Sequence, residues 1–313
     1  MLAIFLKTLP FFAIIALGYA AGRMRFFSAE ATGYLTKFVF YFALSAMLFG
    51  FAANLDLSEI FSWGFIWAYL LASLLIWAVV GAAALMRGAG REEAVFEAHT
   101  GVIGNVGFLG IPMLALLLGP QAVGPVLMVL AVDLVVFSTV LTLIITGLRG
   151  GTVGLAMVGG LVMGLLRNPM IVSVVLGLAW GATGWALPVP VNEFMTTLGA
   201  AATPCALFAI GASLAGKNPD RVGVAVWLSF SKLVLHPAAV AVAALWLFDV
   251  EPYAAGVMIA AAALPVAGNV FILAQHYGVA PQRVSTSILI STAVSVLTVT
   301  AVIALLGPLV GKL

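Results

Sequence analysis

Charge is what this chain has least of. Only 8% of its 313 residues are Asp, Glu, Lys or Arg, against 64% apolar, and the mean hydropathy is +1.23. A soluble globular domain carries about 25% charged residues. So much apolar surface needs lipid as its solvent, which makes this a polytopic membrane protein. The net charge of +2 comes from scattered residues and offers no basic face for nucleic acid. Cysteine is nearly absent as well. Cys205 stands alone, which excludes an internal disulfide and a cysteine-based metal site. The three histidines, His99, His236 and His276, lie far apart and in no metal-ligand spacing, so neither metal nor cofactor is expected. A Gly-rich phosphate loop is missing too, so ATP is not expected to act directly. Ser138 and Ser291 sit in apolar runs without a His or Asp at a spacing suited to nucleophilic catalysis, so the chain does not read as an enzyme.

A helix crosses the bilayer core with about 20 mostly apolar residues. On that ruler the chain gives ten spanning segments: 3–22, 32–51, 62–86, 93–118, 121–146, 168–185, 192–215, 222–248, 252–276 and 283–310. The first lacks a basic stretch before its apolar core and is followed by Arg23 and Arg25, so it reads as a span rather than a cleaved signal. Residues 153–166 are apolar but short and Gly-rich, and read as an interfacial connector. Loops after odd-numbered segments carry Arg23, Arg25, Arg87, Arg91, Arg149, Arg167, Lys217, Arg221 and Arg283. Loops after even-numbered segments carry Asp56, Glu59, Glu193, Asp249 and Glu251, and no Lys or Arg. The positive-inside rule then places the odd loops in the cytoplasm and both termini on the non-cytoplasmic side of the cell's inner membrane.

The chain also repeats itself. "PFFAIIALGYAAG" (10–22) and "PMIVSVVLGLAWG" (169–181) share Pro-x7-Gly-x3-Gly. "ALSAM" (43–47) resembles "ALFAI" (206–210), "GNV" recurs at 104 and 268, and "PQ" at 120 and 281. The offsets are 159, 163, 164 and 161 residues. Four matches in order at nearly one offset predict a duplication, with residues 1–150 and 168–313 as two five-helix halves and 151–167 between them. An odd number of spans inverts the second copy. Inverted repeats mark secondary transporters, whose site lies near the midplane where broken helices meet.

Segments 4 and 9 carry the breaking residues. "GVIGNVGFLGIPML" (101–114) holds Asn105, Pro112 and the glycines 101, 104, 107 and 110. "AALPVAGNVFILAQ" (262–275) holds Pro265, Gly268 and Asn269. Pro112 and Pro265 each remove one backbone hydrogen bond, freeing carbonyls near 108 and 261. Irregular backbone at membrane depth is tolerated where protein or a watery cavity meets it. Half-helix N-termini exposed at such breaks suit an anion such as a carboxylate, and Asn105 and Asn269 supply donating amides.

The motifs "GNVGFLGIP" and "LPVAGNVFILAQHYGVAPQ", with "LPFFAIIALGYAAGR" near the start, resemble the auxin efflux carrier family across the whole chain. That family includes plant PIN-type auxin carriers and bacterial carriers assigned to malonate or other small organic acids. The resemblance implies an all-α membrane protein of ten helices in two inverted five-helix repeats, like the bile-acid sodium symporters. It implies that helices 4 and 9 are broken and cross in a transport domain of helices 3–5 and 8–10. Helices 1, 2, 6 and 7 form a dimerising scaffold, and an elevator-like motion carries an organic anion. By that likeness the substrate site takes Asn105, Gly104, Gly107, Pro112, Pro265, Gly268 and Asn269. Ser45 stands in "FALSAM" where the family usually has Pro, on the scaffold-side wall. The long cytoplasmic loop of plant members is missing between the halves, and Asn269 replaces a more apolar residue, which implies a smaller or more polar substrate. A channel or ligand sensor on the same fold is the alternative.

Several polar groups fall inside the spans. Asp133, in "VLMVLAVDLVVFSTV", is a candidate for proton or substrate coupling. Lys232 and His236, four apart, share a helix face that lines the pathway or, alternatively, lets Lys232 snorkel to the headgroups. Lys37 is expected to snorkel. Glu97 and His99 read as entrance or packing residues, His276 and Tyr277 as interfacial anchors, and Trp63, Trp67, Trp77 and Trp180 as belt or packing residues.

Overall fold

The computed structural model describes residues 2–54, 62–150, 166–216 and 221–310, together with 159, 160 and 163. Asp56, Glu59, Lys217 and most of the expected connector lie outside the described residues. Among the described residues the fold is all-helical, with one isolated β-bridge. The helices are α1 Leu2–Arg23, α2 Ala29–Ala53, α3 Trp63–Met86, α4 Arg91–Thr100, α5 Val106–Leu118 and α6 Pro120–Leu148. They continue as α7 Pro169–Gly181, α8 Val189–Leu214, α9 Val222–Leu247, α10 Pro252–Ala262, α11 Gly268–Tyr277 and α12 Pro281–Leu305. Seven of these are long and apolar enough to cross a membrane: α1, α2, α3, α6, α8, α9 and α12.

Each of the ten expected segments falls on helix, and two differ in form from the rest. Segment 4 is α4 plus α5, and segment 9 is α10 plus α11. Segment 6 is shorter than expected: α7 ends at Gly181, and Thr183 and Gly184 turn the chain. Large apolar side chains such as Leu176, Trp246 and Leu297 point outward, as a lipid-facing surface requires.

Two helix pairings are unusually close. α1 packs on α8, and α7 packs on α2. A Cβ added at Gly177 of α7 would stand 2.7 Å from the Phe49 carbonyl oxygen, and one added at Gly18 of α1 would collide with the Phe208 backbone. Small residues let membrane helices approach backbone to backbone, where dispersion does the work that water exclusion does elsewhere. α2 also packs on α8, so α1, α2, α7 and α8 form one packed group. α3 packs on α4 and α9, α9 on α10 and α12, and α6 on α4 and α10. α5 touches helices of both groups.

At the end of the bundle expected to face the cytoplasm, charged residues tie the second group together. The buried Arg283 of α12 donates to Glu97 at 2.6 Å and to Glu93 at 3.3 Å, and Arg87 also pairs with Glu97. Arg149 binds Glu92 through two nitrogens, at 2.9 and 2.8 Å, and the Tyr277 carbonyl at 2.7 Å. The hydrogen bonds from the Arg149 guanidinium hold the Glu92 carboxyl below its ordinary range.

Four helices contain π-helical turns: Val39–Ala43 in α2, Val106–Gly110 in α5, Val132–Phe137 in α6, and Ser231–Leu235 and Ala243–Leu247 in α9. Such turns are rare and gather at functional sites. Asp133 and Lys232 each sit in one.

Candidate binding site between the two helix breaks

Both chain breaks are real gaps in helix, and they meet. α4 ends at Thr100 and α5 begins at Val106. α10 ends at Ala262 and α11 begins at Gly268. Gly104 and Val266 form an antiparallel bridge. The Asn105 N–H donates to the Pro265 carbonyl at 2.8 Å, and the Ala267 N–H donates to the Ile103 carbonyl at 3.1 Å. Backbone groups freed by each break are thus satisfied by the other, as a lipid-embedded interruption demands. Ser291 of α12 accepts from the Val266 N–H at 3.1 Å and closes the account on that side.

The position of the first break corrects the proline argument. It lies at 101–105, seven residues before Pro112. Pro112 instead stands near the start of the regular α-helical part of α5, just after the π turn. The ring leaves the Phe108 carbonyl without its usual donor, and wider bonds take over: Gly110 N–H reaches Asn105 O at 2.9 Å, and Ile111 N–H reaches Val106 O. Pro265 does lie inside its break.

A cavity of about 380 Å³ opens beside the paired breaks. Gly104, Asn105, Gly107, Gly268 and Asn269 all line it. Phe40, Phe108, Leu130, Leu134 and Ile272 supply apolar walls, and Ser138, Thr139, Thr142 and Asn168 add polar groups. Most of those are already engaged: Ser138 with the Asp133 carbonyl, Thr142 with Ser138 and Tyr277, and Asn168 with the Met170 N–H as a helix cap. The two asparagines differ. Asn105 is 6% exposed, and its side-chain amide makes no hydrogen bond among the described residues, although it occupies the cap position of α5. Asn269 has a buried Oδ1 with no partner. Ala267 precedes α11 and cannot cap it, so the Gly268 and Asn269 N–H groups have no backbone partner among the described residues. Two positive helix ends and two free amides therefore converge on one cavity, an arrangement that can hold an anionic oxygen.

Other expected site residues stand elsewhere. Pro265 is buried, with its carbonyl used by the bridge. Ser45 donates to the Phe40 carbonyl at 3.0 Å and touches the cavity only through that residue. Pro112 lines a second cavity of about 530 Å³, with Asn54, Asn192 and Thr196. Asp133, Lys232 and His236 are fully or nearly fully buried and line neither. Lys232 is fully buried and lines neither cavity. Its ammonium donates to the Ala262 carbonyl, at the orphaned C-terminal end of α10, and contacts His236 Nδ1 at 3.3 Å. Ser73 meets His236 Nε2 at 2.9 Å, and Tyr69 donates to Asp133 Oδ1 at 2.9 Å. Asp133 Oδ2 has no partner. Tyr69 and Ser73 escaped the sequence reading, although their spacing of four on one helix face was visible. Glu97 and His99 are both buried but not bonded to each other: Glu97 is ion-paired, and neither His99 ring nitrogen has a partner. Lys37 is exposed beside the Tyr34 ring, and His276 is exposed at the end of α11.

Seven membrane-length helices and an internal cavity flanked by paired interruptions define a multi-pass α-helical membrane protein. Residues 3–303 match the model of the membrane transport protein family, and the chain belongs to that family, the auxin efflux carriers its motifs resemble. It is 32% identical over 301 residues to a Rhizobium meliloti (strain 1021) protein named "Putative malonate transporter", covering 95% of this chain and 94% of that one. Both findings point to a transporter rather than an enzyme.

Proposed function

We propose that this protein is a secondary carrier that exports a small organic anion across the cell's inner membrane, a short mono- or dicarboxylate or an indole acid, by an elevator-type alternating-access mechanism. The carboxylate sits in the 380 Å³ cavity, held by the Asn105 and Asn269 amides and the N-terminal end of α11. The observation that carries this reading is the pair of hydrogen bonds joining Asn105 to Pro265 and Ala267 to Ile103, beside the Gly268 and Asn269 N–H groups that have no backbone partner at one cavity. The name of the related protein supports the substrate class.

In this reading the ten segments form two inverted repeats, and the broken helices 4 and 9 cross at the site. Helices 1, 2, 6 and 7 make the scaffold of a homodimer, which fits the close packing of α1, α2, α7 and α8. The other six move with the cargo, and their shared ion pairs support motion as one body. Both termini face outward. With that orientation the cavity's lining includes the cytoplasmic parts of the spans, through Thr142 and Asn168. The 530 Å³ cavity by Asn54 and Asn192 belongs to the opposite side. Two cavities on opposite sides of one barrier are what alternation needs. Asp133, Lys232 and His236 serve coupling.

Liposome flux of labelled malonate, other short carboxylates and indole-3-acetate, with and without proton and sodium gradients, tests the proposal. Saturable flux of at least one acid is expected. Flux of none contradicts the carrier, and currents far above carrier turnover would favour the channel alternative.

A further inference from the structure

Lys232 is fully buried, and among the described residues no carboxylate is ion-paired with it. The nearby Asp133 carboxyl is held by Tyr69 instead. The ammonium rests on a backbone carbonyl, Ala262 O, and on His236 Nδ1. Its third neighbour is Gly104. A Cβ at Gly104 would stand 3.1 Å from both Cε and Nζ of Lys232. Gly104 also lines the cavity, whereas Lys232 does not. One bare residue of backbone therefore separates a buried positive charge from the candidate site. The described lining contains no Lys or Arg of its own. A buried cation whose nearest carboxylate is not in ion-pair contact is costly, and that cost falls when a further anion comes within a few ångströms in a low-dielectric setting.

We infer that Lys232 is the positioning charge of the site, drawing an anion into the cavity across the Gly104 backbone and never touching it. This rests on the proposed carrier function and adds a named source for its charge selectivity. A Cβ at Gly104 would crowd the ammonium at 3.1 Å, so the bare backbone there keeps Lys232 close to the cavity. The neighbouring Ser231, whose Oγ would lie 3.1 Å from a Cβ at Gly101, places helix α9 against the start of the same break as well. The π turn Ser231–Leu235 carries both residues to the junction.

The test uses full-length protein in liposomes with labelled malonate as the probe. Lys232→Met keeps much of the side chain's bulk and removes its charge; Lys232→Arg keeps the charge. Lys232→Met is expected to raise KM by about tenfold or more, the scale of one unit charge at a few ångströms, while Lys232→Arg stays within about threefold of the parent. An unchanged KM in Lys232→Met, or equal rises in both variants, overturns the inference. If Lys232→Met does not reach the membrane folded, Lys232→Gln decides: a raised KM there supports the inference, and a parental KM refutes it. Asn105→Ala separates the two levels: if it abolishes flux while Lys232→Met leaves KM alone, only this inference fails.

Discussion

The backbone N–H of Asn105 and the carbonyl of Pro265, 160 residues apart in sequence, are 2.8 Å apart in the fold. That bond and its companion from Ala267 to Ile103 make two interrupted helices into one structural unit. They also leave side-chain amides and helix ends free beside a cavity.

Shrinking the cavity should change which acids pass. A Cβ at Gly107 would approach the Met170 methyl to 2.9 Å, and both residues line the cavity. Gly107→Val is expected to abolish flux of a bulky acid such as indole-3-acetate while sparing more of the flux of a three-carbon acid. Equal losses for both, measured in liposomes, would contradict this placement of the walls.

Asp133 is buried with one carboxyl oxygen bound by Tyr69 and the other bare. An ionisable group so placed inside a membrane span is a candidate for coupling. Asp133→Asn should alter the pH profile of transport, and Tyr69→Phe should shift the profile without flattening it. An unaltered profile in Asp133→Asn clears Asp133 of a coupling role.

The ion pair of Arg283 with Glu97 joins α12 to α4 with both partners 3% exposed. Removing Arg283 leaves the buried Glu97 with the half-exposed Arg87 alone, at a cost of up to about 3 kcal/mol. Arg283→Ala should lower the thermal midpoint in detergent by several degrees, whereas Arg87→Ala, on the more exposed partner, should cost less. Equal midpoints for the three proteins would count against the ion-paired clamp.

The close packing of α7 on α2 makes a stability prediction of a different kind. Gly177→Ile drives a branched side chain into the Phe49 backbone and should destabilise by about 3 kcal/mol or more. Gly33→Ile, where an added Cβ meets nothing within 4 Å, is the matched control and should lie close to the parent in a thermal-unfolding assay.

Much of this was visible in the sequence, for identifiable reasons. Lipid imposes a length on each span, so hydropathy alone located the seven membrane-length helices, each of which falls on an expected segment. The recurrence of "GNV" at 104 and 268 made Gly104–Asn105 and Gly268–Asn269 stand out as a pair where either alone would not. The first break was assigned to Pro112 because proline is the local signal for one. Its true position depends on pairing with residues some 160 positions away, which no local signal carries. Lys232 was read as snorkelling or pathway-lining for the same reason. Its actual partner, the Ala262 carbonyl, exists only because α10 stops there. Ser45 looked like part of the site because it replaces a family proline, yet its hydroxyl serves the Phe40 carbonyl inside its own helix.

The most direct test of the central claim is uptake of labelled malonate by liposomes holding Asn105→Ala. Loss of flux to background, in a protein whose thermal midpoint matches the parent, is the predicted result. Parental flux in that variant would show that the cavity between the two breaks is not where the anion is held.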